Sequence, residues 1–160
     1  MKSIIQLSKQ LNADAKQLND SLIRHGHDVS TTFGVNDGFI DDDVNDHIQT
    51  LYNDITAELV DYDHVLSMKS TLVPINIECC IYFLMQGNII TYVGQSFSLL
   101  GRIQQHILNN VIPFDTVSYI AVDRHKINLY ERMYIHSFAP KYNTTKYTVN
   151  QIIDCILKLY

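Results

Sequence analysis

A chain of 160 residues that is 46% hydrophobic and 18% charged can bury one ordinary core or two small ones, and it is not of the disordered class. No apolar run reaches the roughly 20 residues of a membrane span, and MKSIIQLSKQ turns polar too soon for a signal peptide. Net charge is −5, with four basic and nine acidic side chains in residues 1–55, one and three in 56–72, and seven and five in 73–160.

That charge break predicts a first unit over 1–55, a linker over 56–72 and a second unit over 73–160. An acidic front half counts against a nucleic-acid partner, which would be expected to meet a basic surface. Cys79 and Cys80 are adjacent and Cys155 is remote, a spacing that suits neither a disulfide framework nor a zinc site. Reduced, largely buried thiols and a cytoplasmic location are expected.

In SIIQLSKQLNADAKQLNDSLIRHG, apolar Ile4, Leu7 and Leu11, then Leu18, Leu22 and Ile23, recur at helical spacing. Ser3 suits the first cap, Asn12 or Asp14 breaks the run and caps a second helix, and Gly26 suits a stop. HDVSTTF reads as an extended piece, GVNDG as a turn, and DDDVNDHIQTLYNDI as a third helix with its acidic end toward the positive pole of the dipole. The first two helices resemble a helix-turn-helix, with residues 15–25 as groove reader and Lys9, Lys16 and Arg24 as candidate DNA contacts. A small helical bundle for protein contacts is the alternative.

The second unit opens INIECCIYFLMQGNIITYVGQ, two apolar runs about Gly87-Asn88 that predict an antiparallel hairpin. SLLGRIQQHILNN predicts a helix with Leu99, Leu100, Ile103 and Ile107 inward, and TVSYIAVD a third strand. KINLYERMYIHSF predicts a helix with Ile127, Tyr130, Tyr134 and Phe138 inward, stopped before Pro140. KYNTTKY is a loop, and TVNQIIDCILKLY closes the chain as an amphipathic helix. The fold class is therefore α+β: a small antiparallel three-stranded sheet flanked by helices, preceded by a small mostly helical domain.

The residues able to carry chemistry in this unit are Tyr82, Tyr92, Arg102, His106, Glu131 and Asn143. Arg102 and His106 are i,i+4 neighbours on one helix face. Each alone reads as an ordinary packing, capping or solvated residue, so their joint spacing carries the weight. Arg124, His125 and Lys126 read as a solvated basic turn.

Residues 77–145 resemble the GIY-YIG nuclease family. Cys80-Ile81-Tyr82 and Tyr92-Val93-Gly94 stand where its two signatures stand, VGQSFSLLGR is similar to its strand end and arginine, and ERMYIHSFAPKYN to its glutamate helix, proline and asparagine. Cys80 replaces the first glycine, at a position that tolerates change. Gln95 stands where lysine is common, so a second phosphate contact is expected to be missing.

The resemblance implies hydrolysis of double-stranded DNA phosphodiesters with one Mg²⁺ or Mn²⁺ ion. Glu131 would be its one protein carboxylate. Arg102 would hold the scissile phosphate through its planar fork. Tyr82, helped by Tyr92 or His106, would take the proton of the attacking water, its phenol lowered from a pKa near 10 by Arg102 and the ion. Asn143 would fix the loop beneath the site. A helical module in front of such a domain, the reverse of the order in many homing enzymes, suggests a site-directed endonuclease from a phage or mobile element. The alternatives are a restriction or repair nuclease and a catalytically idle DNA- or protein-binding module. Cutting both strands would require dimerisation on DNA or two sequential nicks.

Overall fold

The computed structural model describes residues 2–27, 29–31 and 38–159, which form two compact units: Met1–Glu58 with Thr148–Tyr160, and Leu59–Tyr147. Most of the turn expected over 34–38 lies outside the described residues.

The first unit holds β1 (Lys2–Ser3), α1 (Ile4–Leu11), α2 (Ala15–Arg24), β2 (Ser30–Thr31), β3 (Gly38–Ile40), α3 (Asp42–Glu58) and α7 (Val149–Leu159), with its short strands in the antiparallel order β1-β3-β2. The Ser3 hydroxyl accepts from Ile5 N at 3.2 Å and Asp14 accepts from Gln17 N at 2.9 Å. Asn12 takes the left-handed conformation (φ +53°) that ends α1, so Asn12 stops one helix and Asp14 starts the next. Ile4, Leu7, Leu11, Leu18, Leu22 and Ile48 fill the core, whereas Ile23 is 54% exposed, contrary to expectation. Leu18 and Leu22, at i,i+4, already occupy the buried stripe of α2, and Ile23 falls outside it.

The closing helix corrects the expected boundary. Val149 and Ile153 of α7 pack into this first core, not against the large sheet. Asn150 locks the contact: its Oδ1 accepts from Asp14 N at 2.8 Å and its Nδ2 donates to Asp14 O at 2.9 Å. Asp154 receives Ser21 Oγ at 3.1 Å, Arg24 Nη1 at 2.9 Å and His25 Nε2 at 3.0 Å. Burial pushes this carboxyl up, but the bonds from His25 and Ser21 and the charges of His25 and Lys158 outweigh it and hold it below the usual range.

The second unit holds α4 (Tyr62–Ser67), β4 (Cys80–Gln86), β5 (Ile89–Ser96), α5 (Leu99–Asn109), β6 (Thr116–Ala121), a single 3₁₀ turn (Arg124–Lys126) and α6 (Ile127–Phe138). Its sheet is antiparallel in the order β5-β4-β6. Gly87, at φ +59°, makes the hairpin turn between β4 and β5. Much of the expected linker is folded structure. Val65 of α4 is fully buried in the sheet's core, Tyr62 Oη accepts from Ile90 N at 2.7 Å, and Ser70 bridges Val117.

Because side chains alternate across a strand, β4 feeds two cores. Ile81, Phe83 and Met85 meet Ile127, Tyr130 and Tyr134 of α6 and Val65 of α4. Cys80, Tyr82 and Leu84 meet Leu99 and Ile103 of α5. Phe138 of α6 packs partly buried against the first of these cores. The buried stripe of α5 is Leu99, Ile103 and His106; Leu100 is half-buried and Ile107 is 62% exposed, where Ile107 was expected inside. His106 takes the inward place because a buried polar partner awaits it. No helix among the described residues is long and apolar enough to cross a membrane.

Candidate functional site

The site grows from the hairpin register. Tyr82 of β4 stands opposite Gly94 of β5, and Leu84 stands opposite Tyr92, so both tyrosines share the face covered by α5. The pairing then skips Thr91, a bulge whose hydroxyl donates to Leu84 O at 3.1 Å and Pro113 O at 3.0 Å. Gly94 is required here by space, since a Cβ would fall inside Tyr82 Cζ and Oη and 2.8 Å from Cε1.

Into this corner α5 lowers Arg102 and His106. Tyr82 Oη lies 2.8 Å from His106 Nε2, and Arg102 Nε donates to Tyr82 Oη at 3.2 Å. Tyr92 closes the group: its ring centroid is 6.1 Å from that of Tyr82 and 5.3 Å from that of His106. Arg102 Nη1 donates to Gln105 Oε1 at 2.8 Å, which fixes the guanidinium on its own helix. Tyr82 and His106 are buried, whereas Tyr92 and Arg102 are half-exposed at the mouth.

Burial dominates the electrostatics. It pushes the Tyr82 phenol far above its ordinary value, outweighing the Arg102 hydrogen bond and charge that pull it down. Arg102 does pull this phenol down, as expected, but burial outweighs it. Burial, then the charge of Arg102, hold His106 below its usual range, so its imidazole is neutral at pH 7 and free to accept a proton. The hydrogen bond to Tyr82 comes first in raising Arg102. Burial, with Cys79 beside it, pushes the Cys80 thiol up to about 11, which makes it packing and not a nucleophile.

Glu131 and Asn143 work on the outer edge of β5, an edge strand whose unpaired backbone groups need partners. Two successive outward residues, Thr91 and Val93, find them. Thr91 O accepts from Tyr142 N at 3.1 Å. Val93 N donates to Asn143 Oδ1 at 2.9 Å, and Val93 O accepts from Asn143 Nδ2 at 2.8 Å. The Gln95 N–H pulls the Glu131 carboxyl down, against its burial. Asn143 thus imitates a paired strand and holds β5 at Val93, next to Gly94. Replacing Asn143 with alanine would strand two buried backbone groups and should cost about 2–5 kcal/mol of stability. Urea unfolding checks this; a loss under about 1 kcal/mol would mean the edge finds other partners.

Burial raises the Glu131 carboxyl above its usual value, against the charge of Arg132, the Gln95 N–H and the charge of Arg102. A half-buried carboxylate of this kind gains most from a cation beside it. No group of three or more His, Cys, Asp or Glu side chains gathers among the described residues. Glu131 offers one hard oxygen ligand, the kind of donor that suits an ion such as Mg²⁺, which keeps most of its waters.

No family model, curated protein or solved structure matches the chain.

Of the residues expected to act, Tyr82, Tyr92, Arg102 and His106 form one hydrogen-bonded and ring-packed group. Glu131 stands at the adjoining strand end and Asn143 behind it. Lys9, Lys16 and Arg24 belong to the other unit; Lys9 and Lys16 are exposed on α1 and α2, and Arg24 is ion-paired with Asp154. Two residues of the site escaped the sequence reading. Gln105 was visible as the i+3 neighbour of Arg102. Asn128, whose Oδ1 accepts Gln95 Nε2 at 2.9 Å, carried no signal.

Proposed function

We propose that the chain is a metal-dependent DNA endonuclease of the GIY-YIG kind, hydrolysing phosphodiester bonds. The observation that carries the reading is the Tyr92–Tyr82–His106 group with Arg102 at its mouth and one carboxylate, Glu131, at the adjoining strand end. Mg²⁺ or Mn²⁺ held by Glu131 would supply charge for the scissile phosphate and its leaving oxygen.

The chain's own residues do the rest. Tyr82 and Gln105 hold Nε and Nη1 of Arg102, which aims the fork without using all five of its donors, and the remainder face a phosphate at the mouth. A water entering there meets the half-exposed Tyr92 before the buried Tyr82. Its proton passes to Tyr92 as Tyr92 hands its own to Tyr82 and Tyr82 hands its own to His106 Nε2. The terminal base in this reading is His106, and the phenols conduct the proton without ionising at rest. Such acid–base help is worth roughly 10²–10⁴-fold.

The sign of the pH dependence follows. A neutral His106 is needed, and its value lies below the usual 6.5. The second-order cleavage rate at low DNA, which reports the free protein, should be flat near neutrality and fall only in acid, with a midpoint below 6.5. His106→Gln should remove that limb along with most of the rate; a midpoint above 6.5 in the intact protein would contradict the burial argument.

In this reading the first unit guides the second by raising its concentration near chosen DNA sites, with α2 as groove reader. Action in the host cytoplasm on behalf of a phage or mobile element, by homing or by cutting a competing genome, belongs to the same proposal. So does pairing of two copies on double-stranded DNA. The net charge of −5 favours one other reading, an idle binding module. The discriminating experiment incubates the intact chain with supercoiled plasmids and Mg²⁺, with and without chelator. Chelator-sensitive nicking supports the nuclease, and DNA binding without any cutting supports the idle module.

A further inference from the structure

Phe97 leaves its ring in solvent, where the second unit covers every other one. It is 51% exposed, in the connection between β5 and α5, and each remaining phenylalanine and tyrosine of residues 59–147 is buried or half-buried. The exposed apolar side chains elsewhere in this unit, Leu72, Ile75, Ile107 and Leu108 among them, carry no ring. A lone exposed apolar residue is ordinary, but this one has a partner. The Arg124 guanidinium stands over the Phe97 ring, its Cζ 4.8 Å from the centroid.

The pair lies where two chain connections meet. Tyr92 and Gly94 face α5, so Gln95 faces the opposite side, where its Nε2 donates to Asn128 Oδ1 of α6 at 2.9 Å. Phe97, two residues on, meets Arg124 in the turn that leads into α6 and Glu131. In the other direction, Ser98 O accepts from Arg102 N at 3.1 Å, so Arg102 stands one helical turn from the residue after Phe97. One turn is about 5.4 Å, and a DNA strand advances about 3.4 Å per nucleotide. A strand whose phosphate is held by Arg102 therefore has a neighbouring nucleotide within reach of this pair. The local charge suits such a strand. Residues 124–147 hold five lysines and arginines and one carboxylate, Glu131; Asp123 immediately precedes them.

A flat apolar ring and a fixed cation meet two needs of a nucleotide at once, a face for its base and a charge for its phosphate. A base stacked inside a duplex has no free face to give, so the ring selects one that is unpaired. We propose that Phe97 and Arg124 form a stacking platform for an unpaired base beside the phosphate at Arg102. The preferred substrate is then DNA with an open, flapped or mismatched strand at the cut. This names a substrate class for the nuclease reading and rests on it.

The chain contains no tryptophan, so Phe97→Trp supplies a single fluorescent reporter at an exposed position. Ile89→Trp, at the opposite end of β5 and 63% exposed, supplies its control. Both are titrated in chelator, where no cutting occurs, with oligo(dT) and with a duplex of equal length. Phe97→Trp emission should fall saturably with oligo(dT) and little with duplex, while Ile89→Trp should not respond. By anisotropy of labelled oligo(dT), Phe97→Ala should bind about 5–150-fold more weakly than the intact chain, the loss of one stacked base. Arg124→Ala should bind both DNAs more weakly, and neither variant should melt earlier. An unquenched Phe97→Trp, equal quenching by the duplex, or Phe97→Ala binding oligo(dT) like the intact chain would overturn the platform. So would the absence of any oligo(dT) binding by the intact chain. Chelator-sensitive cutting alongside one of these results would leave the nuclease standing without the platform. Quenching without cutting in Mg²⁺ would keep the platform and remove the nuclease.

Discussion

Arg102→Ala should lower phosphodiester cleavage by roughly 10²–10³-fold, the loss typical of removing one charge-stabilising donor from a reaction centre. The protein should stay folded, because the guanidinium is half-exposed and its partners are Tyr82 Oη and Gln105. Arg102→Lys should recover only part of the rate. A lysine supplies the charge but neither the fork nor the Nε–H that Tyr82 accepts. A second consequence separates this account from simple damage. The charge of Arg102 helps hold His106 down, so the acid limb of whatever rate remains in Arg102→Ala should move to higher pH. A rate within a few-fold of the intact protein, or an unmoved limb, would count against the assigned geometry.

A large effect on stability is expected at Gly94. A Cβ there would overlap Tyr82 Cζ and Oη, and the Tyr82 ring is fully buried against Leu99 and Ile103, so it has no room to retreat. Overpacking of this kind costs about 1–3 kcal/mol or more, which for a unit of this size lowers the melting temperature by roughly 5–20 °C. Gly94→Ala should also break the Tyr82–His106 hydrogen bond and with it the cleavage. Pairing it with Tyr82→Leu removes the atoms that clash, so the double variant should regain much of the stability and none of the activity. If Gly94→Ala melts like the intact protein, the close approach of β5 to the Tyr82 ring is wrong.

Much of the second unit was legible because local signals agreed with one another. Gly87-Asn88 between two apolar runs specified the hairpin, and the hairpin register then put Tyr82 and Tyr92 on one face. The rotation of α5 was less legible. Helical spacing allows Ile103 to be followed inward by either residue 106 or residue 107. Only the Tyr82 hydroxyl, buried and in need of a partner, chooses His106 and turns Ile107 outward. The home of α7 was not legible at all. An amphipathic helix declares which face it will bury but not against which core, and here the choice is made by Asn150 gripping Asp14 across most of the chain. Residues 56–72 read as a linker because their apolar members are scattered among polar ones. One of them, Val65, is nevertheless fully buried beneath the sheet. Gln95 stands where a lysine's phosphate contact is expected to be missing, and its side chain joins Asn128.

The corner of Tyr82, Tyr92, Arg102 and His106, with Glu131, is proposed to cut DNA. Its most direct test compares the intact protein with Glu131→Gln, matched in melting temperature, on a pool of supercoiled plasmids in Mg²⁺, with the ends of any product sequenced. Chelator-sensitive cutting by the intact chain is expected, with loss of that cutting in Glu131→Gln and DNA binding retained. Equal cutting by both proteins, or binding without cutting by the intact chain across Mg²⁺ and Mn²⁺, would contradict it.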